Sequence, residues 1–450
     1  MTIANVEAEA ALLGALLVES KLIDSVANVL VGSDFYEPIH GRIFEVIVNQ
    51  ASLGKPTNPV ALKTHFEDGF LNPLGGPSYL ARLSGDLQGL FDPMGLAQQV
   101  NDLSQRRRMQ AGLITAANAC ADMESTTAEI ASHADAALSD KTDNSVEIIS
   151  IGKCFDNLVD SFGRERHGVT CGHIPSLDGL LGPMLPKQLI IGAGRPGMGK
   201  TALALSYAIG AADAGHGVLY VSLEMSGAEL VVRAASAMSF DGNSGIPYNF
   251  IRDDDLSDWQ RRRLAEIGIL SHNLPLEIAD TGSLSIGRLN MLIRRHARRM
   301  EAKGFKLELV IVDYLQLLHP DTKGRGQYEA VSEISRGLKA MAKDHGVAIF
   351  ALAQLSRAVE TRPDKRPQLS DLRDSGQIEQ DADAVLFLLR PEYYLNQDKP
   401  QDETAPDYPK WVSDMAEIKG VIEFILAKRR NGETGTSIGE FLGAYQVVRG

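Results

Sequence analysis

The stretch "GAGRPGMGKT", residues 192–201, follows the apolar run "QLII" and fits G-x-x-x-x-G-K-[ST] through Gly194, Gly199, Lys200 and Thr201. At this composition a chance match arises on the order of 0.02 times per chain. The plain alternative is a glycine-rich turn with a solvated lysine. The flanks favour chemistry, because "KQLIIGAG" reads as a buried strand and "TALALSYAIGAADAG" as a helix. Glycines let successive N–H groups converge on an anion, and the helix N-terminus adds partial positive charge. Gly194, Arg195, Pro196, Gly197, Met198, Gly199, Lys200, Thr201 and Ala202 are therefore the expected nucleotide-binding loop. Lys200 would bridge the terminal phosphates of a bound nucleotide, and Thr201 would hold Mg²⁺.

Three further residues end apolar runs where such a site needs them. Asp313 closes "LELVIVD", either as a strand-terminating acid that caps the next turn or as the carboxylate beside the metal. Glu224 in "VLYVSLEMS" could orient and deprotonate an attacking water, although a glutamate at a strand end is common. Gln354 in "AIFALAQLSR" could sense the terminal phosphate and report it to Ser356 and Arg357.

The elements that must position these residues follow from the rest of the chain. With 450 residues and 44% hydrophobic content, two or three domains with real cores are expected. Residues 1–138 read as an all-α N-terminal domain: short helices broken by Pro/Gly turns up to about 102, then an Ala-rich helical pair. Residues 139–168 read as a polar linker followed by a lone amphipathic helix. From 169 to 450, β-type runs alternate with helical ones, which predicts a mainly parallel sheet with helices on both faces. The stretch 397–410 is polar and Pro-rich and reads as a mobile surface insertion.

Composition excludes several classes. The acidic N-terminus does not look like a secretion signal, and no apolar run nears the roughly 18 residues of a membrane helix. Cys120, Cys154 and Cys171 are scattered, without disulfide or zinc spacing, so a reducing cytoplasm is expected. The net charge of −13 argues against a coat on nucleic acid, yet leaves room for a local basic channel.

Taken together, "GRPGMGKT", "SLEMS", "VIVDYLQLL", "VSEISRGLKAMAKD", "ALAQLSR", "LSDLRDSGQIEQDADAV" and "AKRRNGETGT" resemble, in order, the motifs of the replicative DnaB-type helicases, whose motor is a RecA-like P-loop domain. "EAEAALLGALL" and "DFYEPIHGRIFEVI" resemble that family's helical N-terminal domain. The resemblance implies a homohexameric ring with nucleotide sites between subunits. Such a ring hydrolyses ATP to move along single-stranded DNA, 5′ to 3′, and to unwind a forked duplex with a primase and a loader as partners. It implies that Glu224 is the water-activating base, Asp313 the Mg²⁺-side acid and Gln354 the phosphate sensor. Lys428 and Arg430 in "AKRRNG" match a basic pair that reaches into the neighbouring subunit's site, whereas the residues alone read as a solvated strand end. Arg233 matches an arginine near the nucleotide, and Arg373, Asp374 and Gly376 match a DNA-facing loop.

Departures include Asp374 where Glu is expected, Gly194 and Gly197 where Ala and Ser are common, and the 397–410 stretch. They fit a distant branch, in a bacterial cell or a phage-infected host. Two other readings compete: a RecA-like recombinase or DNA-stimulated ATPase that does not unwind, and a non-catalytic adaptor that binds nucleotide only to assemble. The "SGQIEQDADAV" block speaks against the first. Lys200, Glu224, Asp313 and Arg430 together speak against the second.

Overall fold

The apolar runs of the C-terminal half become strands because they are covered on both sides, which removes the polar alternation of a half-exposed sheet. The computed structural model describes the chain except residues 1–2, 67–69, 86–90, 123–125, 128–129, 131–132, 135–136, 138–149, 163–167, 321–326, 373–375, 403 and 405. It divides into two units, Met1–Phe162 and Gly163–Gly450.

The second unit carries the strands β1 (Leu189–Gly194), β2 (Gly217–Ser222), β3 (Leu276–Asp280), β4 (Leu284–Ser285), β5 (Leu307–Asp313) and β6 (Leu318–His319). They continue as β7 (Ala348–Gln354), β8 (Ala384–Leu389), β9 (Val421–Arg429), β10 (Gly435–Leu442) and β11 (Val447–Arg449). Nine of them form one sheet in the order β11-β10-β9-β8-β1-β7-β5-β2-β3, and β4 pairs with β6 apart from it. The run from β8 to β3 is parallel throughout, whereas β9, β10 and β11 are added antiparallel. This is the α/β architecture of a RecA-like domain, as expected. Alternate strand residues serve two cores. Ile190, Val218 and Tyr220 pack with Leu203 and Tyr207 of the helix Lys200–Asp213, while Leu189, Ile191 and Leu219 pack with Leu289 and Ile293 of the helix Ile286–Ala302.

A parallel sheet puts every strand's C-terminal tip on one edge. The register aligns Gly194 with Gln354 and Ser222 with Asp313, so the expected site residues emerge side by side. Their convergence is a consequence of topology.

The 397–410 stretch lies at the surface, with most of its described residues exposed. It connects the helices Pro391–Gln397 and Tyr408–Ile418, and its two ends are held together. Trp411 Nε1 donates to the Leu395 carbonyl at 2.9 Å, Tyr408 stacks on Trp411 and the Lys399 ammonium lies over the same indole. Tyr408 and Trp411, at the start of the second helix, hold its end against Leu395 and Lys399.

In the first unit, the helices Val6–Val18, Pro38–Ser52 and Pro93–Ala119 bury Leu12, Leu16, Ile43, Phe44, Ile47 and Val100 in one core. The long helix starts ten residues before the Ala-rich stretch at 103, with Asp92 as its N-cap and Pro93 in its first turn. The expected linker, 139–147, lies outside the described residues, but the lone amphipathic helix is present as Ile151–Ser161. A buried polar chain ties the shorter helices together. The Glu9 carboxylate accepts from the Tyr36 N–H at 2.6 Å and the Glu37 N–H at 3.3 Å and meets His40 Nδ1 at 2.9 Å. His40 Nε2 in turn meets the Tyr79 hydroxyl at 2.6 Å. Glu9→Ala would leave two backbone donors and an imidazole desolvated without an acceptor, so it should cost the first unit about 3 kcal/mol. Calorimetry of the whole chain should show one transition moving down while the transition of the second unit stays in place.

Candidate nucleotide site

The loop after β1 takes its shape from two backbone positions that side chains avoid. Gly197 and Gly199 have φ of 82° and 85°. A Cβ at Gly197 would lie 2.6 Å from the Tyr393 ring, and one at Gly199 would lie 3.2 Å from the Phe441 ring. The loop therefore needs glycine for conformation and for room. It leads into the helix Lys200–Asp213, whose first N–H groups face the cleft.

Lys200 Nζ donates to the loop's own carbonyls, Gly194 O at 2.9 Å and Arg195 O at 3.3 Å. Burial pushes its pKa below the ordinary lysine value, against the pull of Asp313 and Glu224, which favours the charged form. Asp313, at the tip of β5, is 2% exposed. Burial raises its carboxyl above the usual range, and hydrogen bonds from Tyr220 and Thr201 and the charge of Lys200 oppose that shift. The Tyr220 hydroxyl donates to Asp313 Oδ2 at 2.8 Å from the neighbouring strand. The Thr201 hydroxyl is among the groups that lower the Asp313 pKa, which suits a hydroxyl and a carboxylate that share a divalent ion and its waters.

Glu224 stands in a short turn fixed at both ends. Ser222 Oγ donates to the Met225 carbonyl at 2.6 Å, and Ser226 and Glu229 form a capping box for the helix Gly227–Ser239. The Glu224 side chain is exposed to the cleft. Gln354 ends β7, where Gln316 brackets its backbone by accepting from the Gln354 N–H at 3.2 Å and donating to its carbonyl at 3.1 Å. Arg233 donates to Gln446 Oε1 at 2.5 Å and lies over the Tyr248 ring.

A cleft of about 540 Å³ is lined by Gly199, Lys200, Thr201, Glu224, Arg233 and Gln354 among others, while Asp313 is buried and does not line it. Pro196, Gly197 and Ala202 also line it. Met198 does not: it is buried, and its sulfur accepts from the Arg390 N–H at 3.4 Å. The Arg195 side chain points away from the cleft and is buried against Glu360 and Leu355. Only its backbone remains in the loop, because its guanidinium finds two acceptors behind the loop and none inside it.

Sequence reasoning missed other residues of the cleft. Arg390 lies 3.9 Å over the Phe441 ring and donates to the Gly197 carbonyl at 2.8 Å. Phe441, Tyr314 and Gln446 line the same space. Arg390 carried the signal used for Asp313, a charged residue at the end of an apolar strand, whereas Phe441 and Tyr220 look like ordinary strand residues.

Lys428 and Arg430 lie elsewhere. Arg429 pairs with Ala384, which pairs with Ile190 near the start of β1, so both cations sit at the opposite edge of the sheet from the phosphate loop. The length of β1 separates them from it by about 15–20 Å. Lys428 Nζ donates to the carbonyls of Glu379 and Ala382, and Arg430 donates to Asp383 Oδ1 at 3.2 Å and to the Gln380 carbonyl at 3.3 Å. Those carbonyls end the helix Gly376–Asp381, where cations are favoured. Gly376 is exposed at the start of this helix, while Arg373 and Asp374 lie outside the described residues.

Comparison with known proteins shows the family to which the chain belongs. The family model described as the DnaB-like helicase C terminal domain matches residues 168–449, and that of the N terminal domain matches residues 1–102. The chain is 34% identical to the replicative DNA helicase DnaB of Rickettsia conorii, with 96% of this chain and 90% of that protein covered. It is also 34% identical to the DnaB of Geobacillus stearothermophilus, with 98% and 93% covered. A solved structure of a DnaB-like replicative helicase, described with its interactions with primase, superposes with a TM-score of 0.67 at 28% identity over 99% of both chains. A second solved structure, described as an ATPase domain, superposes with a TM-score of 0.57 at 33% identity, covering 67% of this chain and 99% of that one. From the first helices to the last strand, this chain belongs to the DnaB-like helicase family.

Proposed function

We propose that the chain is a subunit of a ring-shaped replicative DNA helicase, a homohexamer that hydrolyses ATP with Mg²⁺ to move along single-stranded DNA and open a forked duplex. One observation carries this reading beyond family membership. The chain's phosphate loop and its Lys428–Arg430 pair occupy opposite edges of one sheet, which supports a role for the pair at the nucleotide site of another copy and not at its own. That is the arrangement a ring of identical subunits supplies.

The donor set suits Mg²⁺ and a nucleoside triphosphate. When bound, the ion would neutralise charge between the terminal phosphates, with Thr201 and Asp313 on its side of the cleft. Lys200 would leave the loop carbonyls for phosphate oxygens, a stronger charge-assisted partner. Glu224 would hold a water through its carboxylate and accept the proton as that water attacks. Gln354 would donate its amide to the terminal phosphate. Arg430 of a neighbouring copy would stabilise charge that develops on the transferred group, which lowers the barrier more than it tightens ground-state binding. A phosphate-directed grip by Arg373 and Gly376 would make DNA binding independent of sequence. A primase and a loader are the expected protein partners, and the cytoplasm the expected place; no helix among the described residues is long and apolar enough to cross a membrane. Opening of a forked duplex by the purified chain with ATP and Mg²⁺ separates this reading from a RecA-like ATPase that does not unwind.

Lys200→Ala should lower ATP turnover by about a thousandfold, and Glu224→Gln should bind ATP normally yet hydrolyse it at least about a hundredfold more slowly. Near-normal steady-state turnover in either variant removes that residue from the mechanism. Tyr220→Phe deletes a hydrogen bond that favours the ionised Asp313, so the Asp313 pKa rises further and activity is lost at higher pH on the acid side. The acid limb of the kcat/KM profile should move to higher pH, and an unmoved limb would separate Asp313 from the titration. Arg430→Ala should bind ATP but hydrolyse it poorly, and mixing it with Lys200→Ala should restore part of the turnover. Each mixed ring can pair an intact loop with an intact finger, which neither parent can do. An Arg430→Ala hexamer with normal turnover would return Arg430 to a solvated strand end.

A further inference from the structure

Arg195 stands in the middle of the phosphate loop, yet its side chain leaves the cleft. Arg195 is 7% exposed, and its guanidinium donates through Nε to Glu360 Oε1 at 2.9 Å and through Nη1 to the Leu355 carbonyl at 2.8 Å. Both acceptors belong to the segment that directly follows Gln354. A guanidinium presents its donors in a rigid planar fork, so two fixed acceptors at two of its nitrogens define its orientation. The phosphate loop is thereby fastened to the segment beyond the phosphate sensor, without passing through the nucleotide.

That segment is a closed piece of structure. Leu355 and Leu372 form a bridge, and the Ser356 N–H donates to the Asp371 carbonyl at 2.9 Å. Arg362 forks onto the Asp371 carboxylate at 3.1 and 2.7 Å, and Lys365 Nζ donates to the Glu360 carbonyl at 2.6 Å. Arg366 makes a second fork onto Glu423 of β9, with both contacts at 3.0 Å. A loop tied at its neck and across its body moves as a unit, so displacement at Glu360 is carried to Leu372. The next residue in sequence is Arg373, the first of the expected DNA-facing positions.

We propose that Arg195 and Glu360 form the joint through which the phosphate loop positions the 355–372 segment. Arg195 is then a positioning residue for DNA-stimulated hydrolysis, and its side chain is not a nucleotide ligand. The inference rests on the reading of this chain as a DNA-stimulated ATPase. A shift of the loop toward bound phosphate drags the guanidinium, and the guanidinium drags the segment. By linkage, a DNA strand that holds the segment also biases the loop. If the pair merely stapled the loop, its removal would lower basal and DNA-stimulated turnover in the same proportion.

Glu360 provides the cleaner test, because its side chain is 41% exposed and lies outside the cleft. ATP turnover of the full chain would be measured with and without a single-stranded oligonucleotide, for wild type, Glu360→Ala, Arg195→Ala and the double variant. Glu360→Ala should keep the DNA-free kcat and the KM for ATP within about twofold, while the stimulation by DNA falls about fivefold or more. The double variant should be stimulated no less than Arg195→Ala, because the two residues act as one joint. Should Arg195→Ala fail to fold, Arg195→Lys replaces it, since an ammonium reaches one acceptor but cannot span both. Full stimulation in Glu360→Ala, or an equal loss of basal and stimulated turnover, overturns the joint alone. A wild type whose turnover ignores DNA overturns the proposed function and the joint with it.

Discussion

The half-buried positive charge of Lys200 is the constraint around which the nucleotide site is arranged. An ammonium partly withdrawn from water and fastened to two loop carbonyls is costly to keep, and an anion in the cleft relieves that cost. The surrounding features follow from it. Two glycines with positive φ let the loop fold back over the lysine, the helix behind it adds its N-terminal dipole, and Asp313 and Glu224 sit close enough to hold the proton on. Asp313 is itself disfavoured as an anion by burial, and Tyr220 and Thr201 supply the hydrogen bonds that keep it usable. Neither charge is comfortable alone, and the site gains by their juxtaposition.

This tension is placed by topology. Parallel pairing of β2, β5, β7 and β1 brings an acid, an amide and a loop to one edge from segments far apart in sequence. The same sheet sends β9 back antiparallel, so its C-terminal end, with Lys428 and Arg430, emerges at the opposite edge beside the helix Gly376–Asp381. Under the proposed function, the loop at one edge and the Lys428–Arg430 pair at the other would complete each other's site only between copies. Assembly would then be a requirement of the chemistry.

Much of this was legible in the sequence because the signals were local. The phosphate loop is a contiguous pattern, and Asp313 and Gln354 each end an apolar run, so strand tips could be read directly. The parallel core followed from runs that are apolar on both faces. What escaped depends on contacts distant in sequence. Arg195 looked like part of the cradle because sequence says nothing of Glu360, 165 residues away, which draws its side chain out. Arg390 and Phe441 meet only because β8 and β10 return to the loop, and Tyr220 differs from other strand residues only by the carboxylate opposite its hydroxyl. The edge strands β3 and β11 and the adjoining β10 are short or mixed in polarity, and their pairing comes from neighbours more than from their own pattern.

The central claim is that a chain folded in this way holds only half of a catalytic site. The most direct test measures ATP turnover per chain across a range of protein concentrations while native mass spectrometry records the assembly present at each. The account predicts negligible turnover where the chain is monomeric and turnover that rises in step with the ring. Turnover per chain that is the same in monomer and assembly would contradict it.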